Sequence, residues 1–243
     1  MKYNLLWPNS LLYNIITKEV ITMAIKNPLR YPGAKSKLVP YIQNLIQSEN
    51  LTGCTFYEAY GGSAAVSFGL LENNIVNRVK INELDPLIYN FWLCVMQHTD
   101  ELIQMINDTD ITIENWIEFS RYRDTNYLFG KTSVQIGFAG LFLNRTNFSG
   151  ILNASPLGGK LQSSPYKIDC RFNKTRIIES ICELSQFSDR IDLFNMDIFF
   201  IKKLVIKEIV PFLYILIHRT TKKARLCIDT FTEMICTELW LNI

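Results

Sequence analysis

The residues best able to do chemistry lie in two short stretches. The first is Thr55-Phe-Tyr-Glu-Ala-Tyr-Gly-Gly-Ser63. Thr55, Phe56 and Tyr57 are β-formers, and Gly61 and Gly62 allow positive φ or a close backbone approach. The small and apolar residues from Ser63 suit the first turns of a buried helix. A strand, a glycine turn and a helix N-terminus are where α/β sheets bind nucleotide-like ligands. The second stretch is Ile81-Asn-Glu-Leu-Asp-Pro86, in which Glu83 falls 22 residues after Gly61 at the end of a second strand. A carboxylate there is placed to accept hydrogen bonds from ribose hydroxyls. Each feature has a plainer reading: glycines required by sterics, and a solvated loop carboxylate. Their pairing favours the ribose contact. The glycines do not follow G-x-G-x-x-G, which disfavours a nicotinamide dinucleotide.

A third stretch lies upstream, Asn27-Pro-Leu-Arg-Tyr-Pro-Gly-Ala-Lys-Ser-Lys-Leu38, and a fourth downstream, Leu143-Asn-Arg-Thr-Asn-Phe-Ser-Gly150. Arg30 to Lys35, Phe56 to Ser63, Asn82 to Asp85 and Leu143 to Gly150, in that order and spacing, resemble the motifs of the Dam-type DNA adenine-N6 methyltransferases. The resemblance covers about Met23 to Tyr214. It implies a Rossmann-like α/β methyltransferase core that binds S-adenosylmethionine and transfers its methyl group to adenine N6 in duplex DNA. It also implies cofactor contacts at Tyr31, Gly33, Lys35, Glu58, Tyr60, Gly61, Gly62 and Glu83. Asp197, in the loop after the next strand, is implied beside the adenine ring of the cofactor. An equal reading of Asp197 is a helix N-cap for a segment beginning at Ile198.

Charge distribution points to the partner. Residues 121–176 hold nine Lys/Arg against two Asp/Glu, a local charge of +7 in a chain whose total is +2, which leaves −5 elsewhere. A basic middle on an acidic body is the footprint of a phosphate-binding face, although a solvated basic surface has the same composition. We expect Arg145, Lys160, Lys167, Arg171 and Lys174 to include phosphate contacts and Asn147 to read a base edge. For Arg145 the competing reading is a structural ion pair. The resemblance places the target-recognition insert here, at about residues 100–175. The loops after Gly150 differ from those of relatives that recognise GATC.

The catalytic tetrapeptide of these enzymes, Asp-Pro-Pro-Tyr, occurs nowhere in the chain. It is needed because the lone pair of adenine N6 is delocalised into the ring. A carboxylate and a backbone carbonyl accept hydrogen bonds from the amine and direct the lone pair at the methyl group, and the Tyr stacks on the flipped base. Pro211 to Ile215 reads as the strand that leads into this motif, but Leu216-Ile-His-Arg-Thr-Thr follows. Codons permitted for those residues, TTG-ATC-CAC-CGT-ACT-ACA, contain GAT-CCA-CCG-TAC-TAC, which spells Asp-Pro-Pro-Tyr-Tyr. The expectation is a frame shift near Tyr214, with 216–243 out of frame and this chain inactive, its core cut short at the C-terminal side.

The elements that must hold these residues are legible in outline. Helices are expected over Leu38–Ser48, from Ser63, from Asp85-Pro86 through Val95, over Thr99–Tyr122, over Ile136–Leu143 and over Asn173–Phe187. Phe91 and Trp92 read as core. Asn144 to Gly150 should emerge at the surface, Asn153 to Pro165 should form a loop, and Ile191 onward should form a strand. Residues 23–99 and 176–215 would then be the core, and 1–22 an upstream extension before a natural start at Met23.

Six scattered cysteines without C-x-x-C pairs, and only two histidines, disfavour zinc and suit a reducing cytoplasm. The apolar run Ile209–Ile217 is far short of a membrane span. The partner expected is double-stranded DNA, met by a monomer. Two other readings are a non-catalytic DNA-binding remnant and a different nucleotide-binding Rossmann enzyme.

Overall fold

A computed structural model describes residues 26–30 and 35–197, together with the backbone of the short strand Tyr214–Ile215. Tyr31, Gly33, the upstream segment 1–22 and the tail 216–243 lie outside the described residues.

Four strands form one parallel sheet in the order β3-β2-β1-β4, with β1 Thr55–Glu58, β2 Arg78–Asn82, β3 Ile191–Phe194 and β4 Tyr214–Ile215. In register, Phe56 lies beside Val79, Val79 beside Ile191, and Tyr57 beside Tyr214. Parallel neighbours need crossover connections. Helix α1, Val39–Ser48, precedes β1, and α2, Ala65–Glu72, carries the chain from β1 to β2. Between β2 and β3 come α3 Pro86–Gln97, α4 Thr99–Asp108, α5 Ile113–Ser120, α6 Ser133–Thr146 and α7 Lys174–Ser185.

Local chemistry explains most helix starts. Asp85 caps α3, its carboxylate accepting the Leu87 N–H at 2.9 Å, and Pro86 sits where a missing N–H does no harm. Thr132 and Gln135 form a capping box on α6, and Asn173 caps α7. The single helix expected over Thr99–Tyr122 is instead α4, α5 and a 3-10 turn at Arg121–Arg123. Residues 109–112 break it, and Thr112 starts α5 by accepting the Asn115 N–H at 3.2 Å.

Helix α6 is the spine of the core. Ten of its residues, from Ile136 to Thr146, are buried. It packs backbone to backbone on α3: a Cβ on Gly137 would lie 2.6 Å from the Asn90 carbonyl oxygen, and one on Gly140 2.6 Å from that of Leu87. Phe91 and Trp92 stack edge to face at 4.9 Å, with Phe68 against the indole at 5.0 Å. Both are core residues, as expected. Phe119, Phe138, Phe142 and Phe172 form an adjoining aromatic cluster. Sheet and helices thus share one hydrophobic core. Against expectation, the residues after Leu143 do not emerge at the surface. Asn144, Thr146 and Asn147 are fully buried and only Phe148 and Ser149 are exposed.

Candidate functional site

The first half of the site is built where β1, β2 and β3 end. Gly61 donates its N–H to the Asn82 carbonyl at 2.7 Å, and a Cβ there would meet Ile81 Cγ2 at 2.7 Å. Gly62 has φ of +49°, and its carbonyl accepts the Trp92 indole N–H at 2.8 Å. Gly61 is therefore required by its packing onto β2, and Gly62 is favoured by its positive φ. The Asn82 amide joins the strand ends, donating to Ala59 and Met196 carbonyls and accepting the Met196 N–H. Asn27 donates to the Ser63 carbonyl at 2.5 Å, which ties the upstream motif to the same turn.

Glu83 spans this corner. One carboxylate oxygen accepts the Gly62 N–H at 2.6 Å and the other the Asp85 N–H at 2.9 Å. Burial raises its pKa, against the lowering effect of those two bonds. Glu58 lies deeper, 5% exposed, and accepts from both the N–H of Ser67 at 3.0 Å and its hydroxyl at 2.5 Å. Ala64, the residue before α2, has no side chain to cap it. Glu58 does that task from inside the fold, satisfying the third N–H of the helix. It was expected at the cofactor; one of its carboxylate oxygens, Oε2, is taken up by α2. Burial pushes its pKa up to about 7, with Glu83 adding to the rise and Lys35 opposing it. Lys35 is thus near the Glu58 carboxylate. Tyr60 is 44% exposed at the mouth of the turn, and Asp197 is exposed three residues beyond β3.

The second half gathers around α6. Arg145 is largely buried, and its Nε has no hydrogen-bond partner. Burial, then the charges of Arg30 and Arg171, push its pKa down to about 10. Arg30 is lowered too, by burial first and Arg171 second. Among the described residues no carboxylate pairs with any of the three, so the ion pair considered for Arg145 is not formed. Arg123 and Lys160 both lie over the Trp116 ring, 5.1 and 5.9 Å from its centroid.

Asn147 departs from its expected role. Its Oδ1 accepts the Trp116 indole N–H at 2.7 Å, and its Nδ2 donates to the Ile151 and Leu152 carbonyls at 3.0 and 2.8 Å. A fully buried amide with every bond made is a scaffold, not a base reader. Lys174 reaches the Asn107 carbonyl at the end of α4 at 2.8 Å, and Lys167 donates to the Gln162 carbonyl, so both bind loop and helix ends. The residues that sequence reasoning missed are Arg30, Arg123, Trp116 and Asn144. Arg30 and Asn144 stand inside motifs that could have flagged them; Arg123 and Trp116 give no local signal.

A carboxylate facing a glycine turn at the carboxyl ends of parallel strands is the arrangement of nucleotide-binding α/β proteins, and the arginine-rich face beyond it suits a polyanion. The chain belongs to the D12 class N6 adenine-specific DNA methyltransferases, whose family model matches residues 31–210. Enzymes of that class use S-adenosylmethionine as methyl donor and DNA as substrate. No curated protein matches the chain individually. Among the described residues no helix is long and apolar enough to cross a membrane, and no group of three or more His, Cys, Asp or Glu could hold a metal ion.

Proposed function

We propose that this fold serves site-specific methyl transfer to adenine N6 in duplex DNA, with the cofactor in the corner between the Gly61-Gly62 turn and Glu83. The observation that carries the reading is the Glu83 carboxylate set across the turn at the ends of β1 and β2. The strand order β3-β2-β1-β4 supports a Rossmann-like core, since ligands of such sheets lie where the order reverses, here beside β1. Glu83 would accept the ribose hydroxyls. Lys35 would face the polar end of the ligand, with Tyr31, Gly33 and Tyr60 around it and Asp197 by the adenine. S-adenosylmethionine supplies a sulfonium-activated methyl group; the target amine loses one proton as it gains that carbon.

The basic region would grip DNA through Arg145, Arg171 and Lys160, within an insert spanning about 100–175 and in a protein acting as a monomer. The absence of Asp-Pro-Pro-Tyr favours a second reading of the chain as written: it binds DNA without methylating it. Restoring the frame after Tyr214 would return the motif directly after β4. The gene as written and the restored gene can each be expressed in a host without adenine methylation, and the DNA digested and analysed by mass spectrometry. The restored gene should yield N6-methyladenine and the original should not. Its absence from both would refute the methyltransferase reading, and its presence in both would refute the frame shift.

A further inference from the structure

We propose that Arg30, Arg145 and Arg171 form one pre-formed pocket for a single phosphodiester group of the DNA backbone, joining the first sequence motif to the insert. The inference deepens the DNA-binding reading above and rests on it for the identity of the anion.

Arg30 is fixed, its N–H and carbonyl both held by Asn144 and its Nη1 directed at the Asn147 carbonyl at 3.4 Å. Gly150, with φ of +73°, presses against the same residue: a Cβ there would lie 2.0 Å from the Arg30 carbonyl oxygen. Such close packing does not leave Arg30 free to move away from Arg145.

Arg30 is therefore held beside the residue that follows Asn144, Arg145, whose Nε is buried without an acceptor, and the charge of Arg171 bears on both, with no compensating carboxylate among the described residues. Burying the Arg145 charge beside other cations is unfavourable. A fold that keeps them is completed by an anion able to take several N–H donors at once, and a phosphate group matches the guanidinium fork.

The neighbourhood distinguishes a polymer from a lone ion. Asn147 accepts from Arg30 with its carbonyl and from Trp116 with its side chain, and Trp116 carries Arg123 and Lys160. Arg123 Nε is buried and unpartnered as well. Two cationic sites linked through one asparagine suit a backbone with repeated phosphates.

The test uses the full chain and three readouts. Inorganic phosphate, compared with chloride at equal ionic strength, should raise the melting temperature of the wild type and leave Arg145→Gln unchanged. In phosphate-free buffer Arg145→Gln should melt at or above the wild-type temperature, because a repelling charge is gone. Arg171→Gln, at an exposed position that does not threaten folding, should lower the log–log salt slope of duplex binding by about 0.9. Steep salt-dependent DNA binding with an unchanged slope in Arg171→Gln, and no protection by phosphate, would overturn the pocket while leaving the proposed function intact. If the wild type binds no DNA, the proposed function fails and the phosphate arm alone decides the pocket. If Arg145→Gln instead weakens S-adenosylmethionine binding and leaves DNA binding untouched, the anion is the cofactor carboxylate and the DNA assignment is wrong.

Discussion

Asn144 holds Arg30 by both of its backbone groups. Its Oδ1 accepts the Arg30 N–H at 2.7 Å and its Nδ2 donates to the Arg30 carbonyl at 2.9 Å, across 114 residues of sequence. The same Nδ2 donates to the Gly150 carbonyl at 2.9 Å. Two of the four sequence motifs are thus one physical unit.

Replacing Asn144 by Ala leaves the Arg30 N–H and two carbonyls short of a partner in a buried setting. The expected loss is roughly 3 kcal/mol, which for a chain of this size lowers the melting temperature by roughly 6–12 °C. Gly150→Ala should be at least as severe, since it adds a clash and a strained φ. Calorimetric melting showing a shift under 2 °C for both would contradict the clamp.

Asn147→Ala separates scaffold from base reader. It removes three buried hydrogen bonds, so it should destabilise the fold by roughly 2–4 kcal/mol. Competition binding with duplexes of different sequence should show weaker binding overall and no altered preference. A relaxed preference in a fully stable protein would restore Asn147 as a reader.

How much of this was legible in sequence follows from range. Asp85-Pro86 and Asn173 announce their helices because capping is a local matter. The end of β2 and the acidic residue beyond it were legible because strand, turn and carboxylate lie within one βαβ unit. The fate of Asn147 was not, because it is decided by Trp116, 31 residues away, and by the depth of α6. Arg145 read as a surface cation for the same reason: its burial comes from α6 packing backbone to backbone on α3, which Gly137 and Gly140 permit only in three dimensions. Glu58 is similar, since its capping of α2 depends on Ala64 having no side chain to do so.

Glu58 makes stability depend on pH. Its pKa is raised in the fold from 4.5 to about 7, so the folded state holds its proton more tightly than the unfolded chain. The stabilisation is fully present below pH 4.5 and is lost as pH rises through about 7. Glu83, also raised, adds in the same direction, and Lys35 opposes it. The effect is about 3 kcal/mol at most. Melting temperatures measured from pH 5 to 8 should fall for the wild type and fall less for Glu58→Gln. Parallel curves would show that Glu58 is not the group responsible.

Glu83→Ala, in the frame-restored protein, should weaken S-adenosylmethionine by roughly 1.5–3 kcal/mol, the size of a charged hydrogen bond. Glu83→Gln keeps an oxygen for the Gly62 N–H and controls for collapse of the turn. Titration calorimetry giving wild-type affinity for both variants would remove Glu83 from the cofactor site.

The most direct test is transfer of label from S-adenosylmethionine to an adenine-rich duplex, with the modified base identified after digestion. The account predicts label on adenine N6 with the frame-restored protein and none with the chain ending at Ile243. Label on another atom, or no label from a folded restored protein that binds both cofactor and DNA, would contradict it.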